Sequence, residues 1–220
     1  MSSGVGAVAS ERTTDCPRCR RATRRLADGS PATHFCHPMV SQGARFSSDR
    51  AHRLGLWRRW GEGGYALWIM LNPSLADDQL DDQTITNVLT ITHRAGLRAV
   101  EVVNLFSLVE PDSGRLSGAA DLVHADVDVS DVKDVATDAE RVVVAWGDKG
   151  ATPAGRRRVV EVLAALDAAG WMPAGAGGGD RILECIGVLG SKMPKHPGRK
   201  SLDGVGLERW HLPPSFVFRR

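Results

Sequence analysis

No apolar run in the 220-residue chain reaches the roughly 18 to 20 residues that a membrane span needs. The N-terminus also lacks the apolar core of a secretory signal. The expectation is a cytoplasmic protein with no membrane association. Cysteine is scarce, with four residues, three of them between Cys16 and Cys36. So few thiols at this length argue against a disulfide-framed secreted scaffold. Acidic residues are scarce at the front: residues 1–60 carry 11 Lys and Arg against 4 Asp and Glu, whereas residues 61–220 carry 17 against 22. A basic front suits phosphate contacts and equally suits a solvated arm.

Apolar periodicity is missing from residues 1–43, which are read as an N-terminal extension to a domain spanning residues 44–220. The one organised feature of the extension is "CPRC" followed by "HFCH". Cys16 and Cys19 have standard metal-ligand spacing, and Cys36 with His37 would complete three thiolates and one imidazole around zinc; His34 is the other histidine in reach. A chain with no metal here is the competing reading.

Beyond the extension the pattern sharpens. "LWIML" (67–71) is a short continuous apolar run, as expected of a strand covered on both faces. "TITNVLTITHRAG" (84–96) has helical spacing and stops at Gly96. Strands are expected at 99–106, 141–147 and 181–190, a helix at 153–170 closed by Gly170, and a short acidic helix within 130–140. Strands alternating with helices predict an α/β fold, three layers α/β/α around a short, mostly parallel central sheet.

In such sheets ligands bind beyond the carboxyl ends of the strands. Four polar or glycine-bearing motifs fall there: Asn72-Pro73-Ser74, Asn104-Leu105-Phe106, Trp146-Gly147-Asp148 and the turn from Gly190 through Pro197. Each alone is an ordinary turn former. Together they predict one pocket, with Trp146 and the other tryptophans also serving as packing anchors.

"LNPS", "NLF", "AWG" and "HPGRKS", in that order, resemble the motifs of the uracil-DNA glycosylase superfamily. More closely, the span from "ARFSSDRAHRLGLWRRWGEGG" through "HPGRK" resembles a bacterial and phage domain of unknown function, DUF1643. The resemblance implies a glycosylase-like fold and a hydrolase that cleaves the N-glycosidic bond of a flipped-out base in DNA or a nucleotide. It implies that Asn72 positions the attacking water, Asn104 reads the base edge and His196 donates to the departing base. Lys192, Lys195 and Arg199 would hold phosphates, and the chemistry needs no cofactor. Some members of that superfamily carry an iron-sulfur cluster, but beyond the extension this chain offers one further cysteine, Cys185, and the cluster ranks below zinc.

The chain departs from the superfamily pattern in two respects. Asn72 cannot accept a proton, so a general base would have to come from Asp77 or Asp78. No Phe, Trp or Tyr occurs between Trp68 and Phe106, which leaves Phe106 as the candidate to stack on a base.

The knot Asp77, Asp78, Asp81 and Asp82 supports two further readings. It could hold Mg²⁺ in a nucleotide phosphohydrolase, or it could start the next helix, with Asp82 as the cap. A nucleic-acid-binding module without catalysis is the third functional class.

Overall fold

The structure, a computed structural model, describes residues 13–16, 19, 22–24, 34–118, 123, 129–176, 180–198, 204–213 and 216. Two short strands, β1 (Thr13–Asp15) and β2 (Ala22–Arg24), pair antiparallel near the cysteines. Seven more form one sheet: β3 (Ser41–Phe46), β4 (Arg53–Arg59), β5 (Ala66–Met70), β6 (Ala99–Asn104), β7 (Arg141–Ala145), β8 (Glu184–Cys185) and β9 (Glu208–Arg209). Their spatial order is β3-β4-β6-β5-β7-β8-β9. The helices are α1 (Gln83–Arg94), α2 (Val129–Thr137) and α3 (Pro153–Ala168).

The sheet is mixed, which corrects the expected mostly parallel arrangement. The four central strands β6, β5, β7 and β8 are parallel, whereas β3–β4, β4–β6 and β8–β9 are antiparallel. The cause is local. β3 and β4 are joined by a short turn and form a hairpin, and a two-residue return strand flanks β8. Sequence reading missed that hairpin, and β3 starts at Ser41, inside the stretch assigned to the extension.

β5 is buried along its whole length, and its alternating side chains divide the core. Leu67 and Ile69 face a cluster shared with Val159, Val162 and Leu163 of α3 and Ala136 of α2. Ala66, Trp68 and Met70 face a second cluster with Ile85, Val88 and Leu89 of α1. Trp68 finds its one polar partner on the covering helix, donating to Thr92 Oγ1 at 2.9 Å. Among the described residues no helix is long and apolar enough to cross a membrane.

Helix boundaries follow their chemistry. Asp82 caps α1, accepting from Ile85 N–H at 2.8 Å, and Gly96 follows its end at φ +90°. Thr152 caps α3 ahead of Pro153, and Gly170 lies just beyond it at φ +85°. β8 is far shorter than the strand expected at 181–190, and Gly187 turns the chain just beyond it at φ +110°. Residues 187–195 then fold back on themselves, with bonds from Leu189 N–H to Met193 O at 2.9 Å and from Lys195 N–H to Gly187 O at 2.8 Å.

The loop from β5 to α1 is pinned by a charge taken out of water. Arg58 and Asp81 pair at 2.8 Å with side chains 0% and 4% exposed. The same guanidinium donates to Gly43 O, Trp57 O and Asp77 O. Asp81→Ala would leave that cation buried without its anion, and we expect a loss of about 3–5 kcal/mol in unfolding free energy. Urea denaturation monitored by circular dichroism measures it, with Asp78→Ala as an exposed control near zero.

Candidate functional site

The carboxyl ends of β5 and β7 open onto a cavity of about 840 Å³. Asn72 and Ser74 line it after β5, Trp146 and Gly147 after β7, and Lys195 and His196 from the last loop. The structure thus brings six of the expected residues together. Arg53, Asp82, Glu110 and Lys149 also line the cavity.

Asn72 is held rigidly. Its amide nitrogen donates to Pro73 O at 2.9 Å and to Glu110 O at 2.7 Å. Both amide protons are consumed, so Oδ1 is the atom it can offer a ligand, and it offers an acceptor. A water there would be oriented by donating to Oδ1.

His196 is carried by a loop tied down on two sides. Pro194 O accepts from Gly147 N–H at 2.9 Å. The buried amide of Asn87, on α1, donates to Pro197 O at 3.1 Å and Gly198 O at 2.6 Å. His196 itself keeps an accessible face toward the cavity, yet enough protein surrounds the ring that desolvation holds its pKa below the ordinary histidine value, with Asp82 pulling the other way. A lowered pKa favours the neutral imidazole, which presents one N–H donor.

Arg53, at the start of β4, is the main residue that sequence reading missed. Burial pushes its pKa down to about 10, opposed by Asp82 and Asp77, so it stays charged at neutral pH. It donates to Ala76 O at 2.8 Å and to Asn104 Oδ1 at 3.4 Å, leaving Nε without a partner. Nothing in its position among the basic residues before Trp60 distinguished it from the surface arginines.

Other expected residues lie elsewhere. Asn104 is buried behind Arg53 and does not line the cavity; its Oδ1 is engaged and its Nδ2 has no partner. Phe106 is packed into the core beside Leu105. Pro73 contributes its carbonyl to Asn72 and Glu110 rather than a cavity wall. Lys192 occupies a turn at φ +65°, outside the lining. Arg199 lies outside the described residues.

The aspartates are dispersed. Asp77, expected as a candidate catalytic base, accepts at Oδ1 from Gln79 and Leu80 N–H, closing a turn, and is not among the residues lining the cavity. Asp78 pairs with Arg50 at 3.6 Å and Asp81 with Arg58. Asp82 takes the helix cap and borders the cavity.

A separate cluster forms in the extension. Cys16, Cys19, His34 and Cys36 bring their ligand atoms within 4.8 Å of one another, a set that can hold a metal ion. His37, the expected fourth ligand, is replaced by His34. His37 instead stacks on Phe35 at 4.4 Å and contacts His93 at 4.6 Å. Cys185 lies in β8 with its thiol against Glu208, so it is no ligand here.

A scan against protein-family models matches residues 53–198 to a family described as Protein of unknown function (DUF1643). A search of the curated proteins finds no match, and a search of the solved structures finds none. The matched span opens at Arg53 and closes at Gly198, so it contains the cavity motifs and excludes the cysteine cluster.

Two expectations follow from this geometry. Gly147 sits at φ +70°, ψ −170°, a region open essentially to glycine, with the His196 loop bonded to its N–H. Gly147→Ala should cost about 1–3 kcal/mol in denaturant unfolding. In an NMR titration His196 should show an apparent pKa below 6.5. Asp82→Asn, which keeps a good cap while removing the charge, should lower it further. A lowered histidine pKa makes the unfolded chain take the proton first, so its contribution to stability is complete above the ordinary pKa and is lost as pH falls toward the folded value.

Proposed function

The chain belongs to this DUF1643 family of unknown function, and from that premise we propose that its cavity is a glycosylase-like site that hydrolyses the N-glycosidic bond of a base extruded from DNA. In this reading α1 on one face of the sheet and α2 with α3 on the other form a three-layer α/β/α arrangement of the uracil-DNA glycosylase type. The observation that carries the proposal is the meeting of donor-bearing side chains with one acceptor at a single cavity. His196, its pKa lowered by burial, and the positively charged Arg53 border the same cavity as Asn72, whose free function is to accept.

This set suits the bond to be broken. Charge develops with opposite sign on the two fragments, negative on the departing base and positive on the sugar. A carbonyl-bearing base would accept from His196 N–H as its negative charge grows, and preorganised donors of this kind contribute about 3–4 kcal/mol in known oxyanion sites. Asn72 Oδ1 orients a water toward the sugar. Asn104 stiffens Arg53 instead of reading the base directly. Lys149 and Lys195, exposed at the cavity's edge, are the cations available to flanking phosphates.

The magnesium reading has less support. Its four aspartates are spent on a turn, a surface ion pair, the Arg58 pair and a helix cap. Among the described residues, the group of His, Cys, Asp and Glu close enough to share a metal ion is the cysteine cluster.

The test uses single- and double-stranded DNA carrying uracil, hypoxanthine or modified pyrimidines, in EDTA and then in Mg²⁺, with abasic sites scored by alkaline cleavage. We expect product in EDTA, reduced about 10²–10³-fold by His196→Ala. Turnover that requires Mg²⁺ and releases phosphate would assign the phosphohydrolase. Salt-sensitive DNA binding without turnover would assign the binding module.

A further inference from the structure

We propose that Cys16, Cys19, His34 and Cys36 bind one structural Zn²⁺, and that this ion fastens the N-terminal extension onto the end of α1. The site lies outside the span matched to the family and is independent of the cavity chemistry.

Distances support an ion in preference to a disulfide or a chance grouping of thiols. Cys16 Sγ and Cys36 Sγ are 3.9 Å apart, and Cys19 Sγ lies 3.2 Å from His34 Nε2. A disulfide would bring two sulfurs to about 2.0 Å. Tetrahedral zinc, with Zn–S near 2.3 Å and Zn–N near 2.0–2.1 Å, sets S···S and S···N edges of about 3.8 and 3.6 Å. These two separations lie within about 0.4 Å of those edges, and all four ligand atoms lie within 4.8 Å of one another. Three soft donors and one imidazole close the coordination shell and leave no open position, which is the pattern of a structural site.

A tight turn explains why His34 is the fourth ligand and His37 is not. His37 N–H donates to Phe35 O at 3.0 Å, so the chain turns at Cys36 and brings the His37 ring back onto Phe35. His34 and Cys36 share the side that faces Cys16 and Cys19. Phe35 and His37 take the other side, where Phe35 is buried in the α1 cluster. There it meets Trp60 edge-on at 5.0 Å and His93, in the last turn of α1, at 5.6 Å. One short segment therefore holds the ion with one side and grips the core with the other. Fixing its two ligands fixes the direction of the aromatic clasp between them.

The ion also accounts for how so short a hairpin is held. β1 and β2 pair through three residues each, and a two-stranded ribbon of that length is marginal without a further tie. Metal binding supplies that tie, since ligand capture contributes directly to folding.

The test uses the full-length chain purified without chelator. Elemental analysis should return one zinc per chain. The cobalt-substituted protein should show tetrahedral ligand-field bands and thiolate-to-cobalt charge transfer. Mercurial titration of the thiols should release the zinc and lower the melting temperature. His34→Ala should reduce the metal from stoichiometric to trace, His34→Cys should restore it, and His37→Ala should leave it in place. Metal-free protein from zinc-replete preparations with three freely titrating thiols would overturn the proposal. So would iron with acid-labile sulfide, or loss of zinc in His37→Ala with retention in His34→Ala. Metal content is read without any activity, so this outcome is separate from that of the glycosylase test.

Discussion

A single buried guanidinium organises the approach to the cavity. Arg58 reaches from β4 to Gly43 on β3, to the carbonyl of Asp77 and to the carboxylate of Asp81. It thereby joins the edge hairpin to the loop between β5 and α1. That loop carries Asn72 at one end and the Asp82 cap at the other, so the register of both depends on where Arg58 anchors the middle. An arginine buried this deeply is tolerated because its donors meet three carbonyls and a carboxylate, and the arrangement is costly to break for the same reason.

Backbone carbonyls captured by asparagine amides continue the same logic around the cavity. Asn72 holds the carbonyl of Glu110, and Asn87 holds those of Pro197 and Gly198. Loops that would otherwise sample many conformations are fixed at their tips by side chains on rigid elements. Preorganisation of this kind fixes the polar groups around the cavity, because the energy of alignment is met during folding. The lining residues Arg53, Asn72, Trp146 and His196 come from four segments of the chain, and these captures fix two of those segments.

Much of the scaffold was legible from local pattern. The apolar run at 67–71, the helical spacing at 84–96 and the glycine stops at Gly96 and Gly170 all correspond to elements of the structure, with ends displaced by a few residues. These features reflect short-range chemistry: burial on both faces, capping, and the backbone freedom of glycine. The β3–β4 hairpin escaped notice because its strands mix arginine, glycine and tryptophan, and the solvated face of an edge strand leaves little apolar signal. The strand expected at 181–190 is longer than β8 because Ile182 through Leu189 reads as mostly apolar, while Gly187 turns the backbone away.

Residue chemistry and spacing settled which side chains were available: an asparagine ending one strand, a glycine after another, a histidine on the last loop, and three cysteines with nearby histidines. Folding in three dimensions decided which of them meet. It placed Arg53 rather than Asn104 at the cavity wall, sent Phe106 into the core, divided the aspartates among separate tasks and chose His34 over His37. The physical reason is that a ligand set or a pocket wall depends on the direction in which each side chain leaves the backbone. That direction is set by strand pairing, helix docking and the close packing of the core, contacts made between residues far apart in the chain.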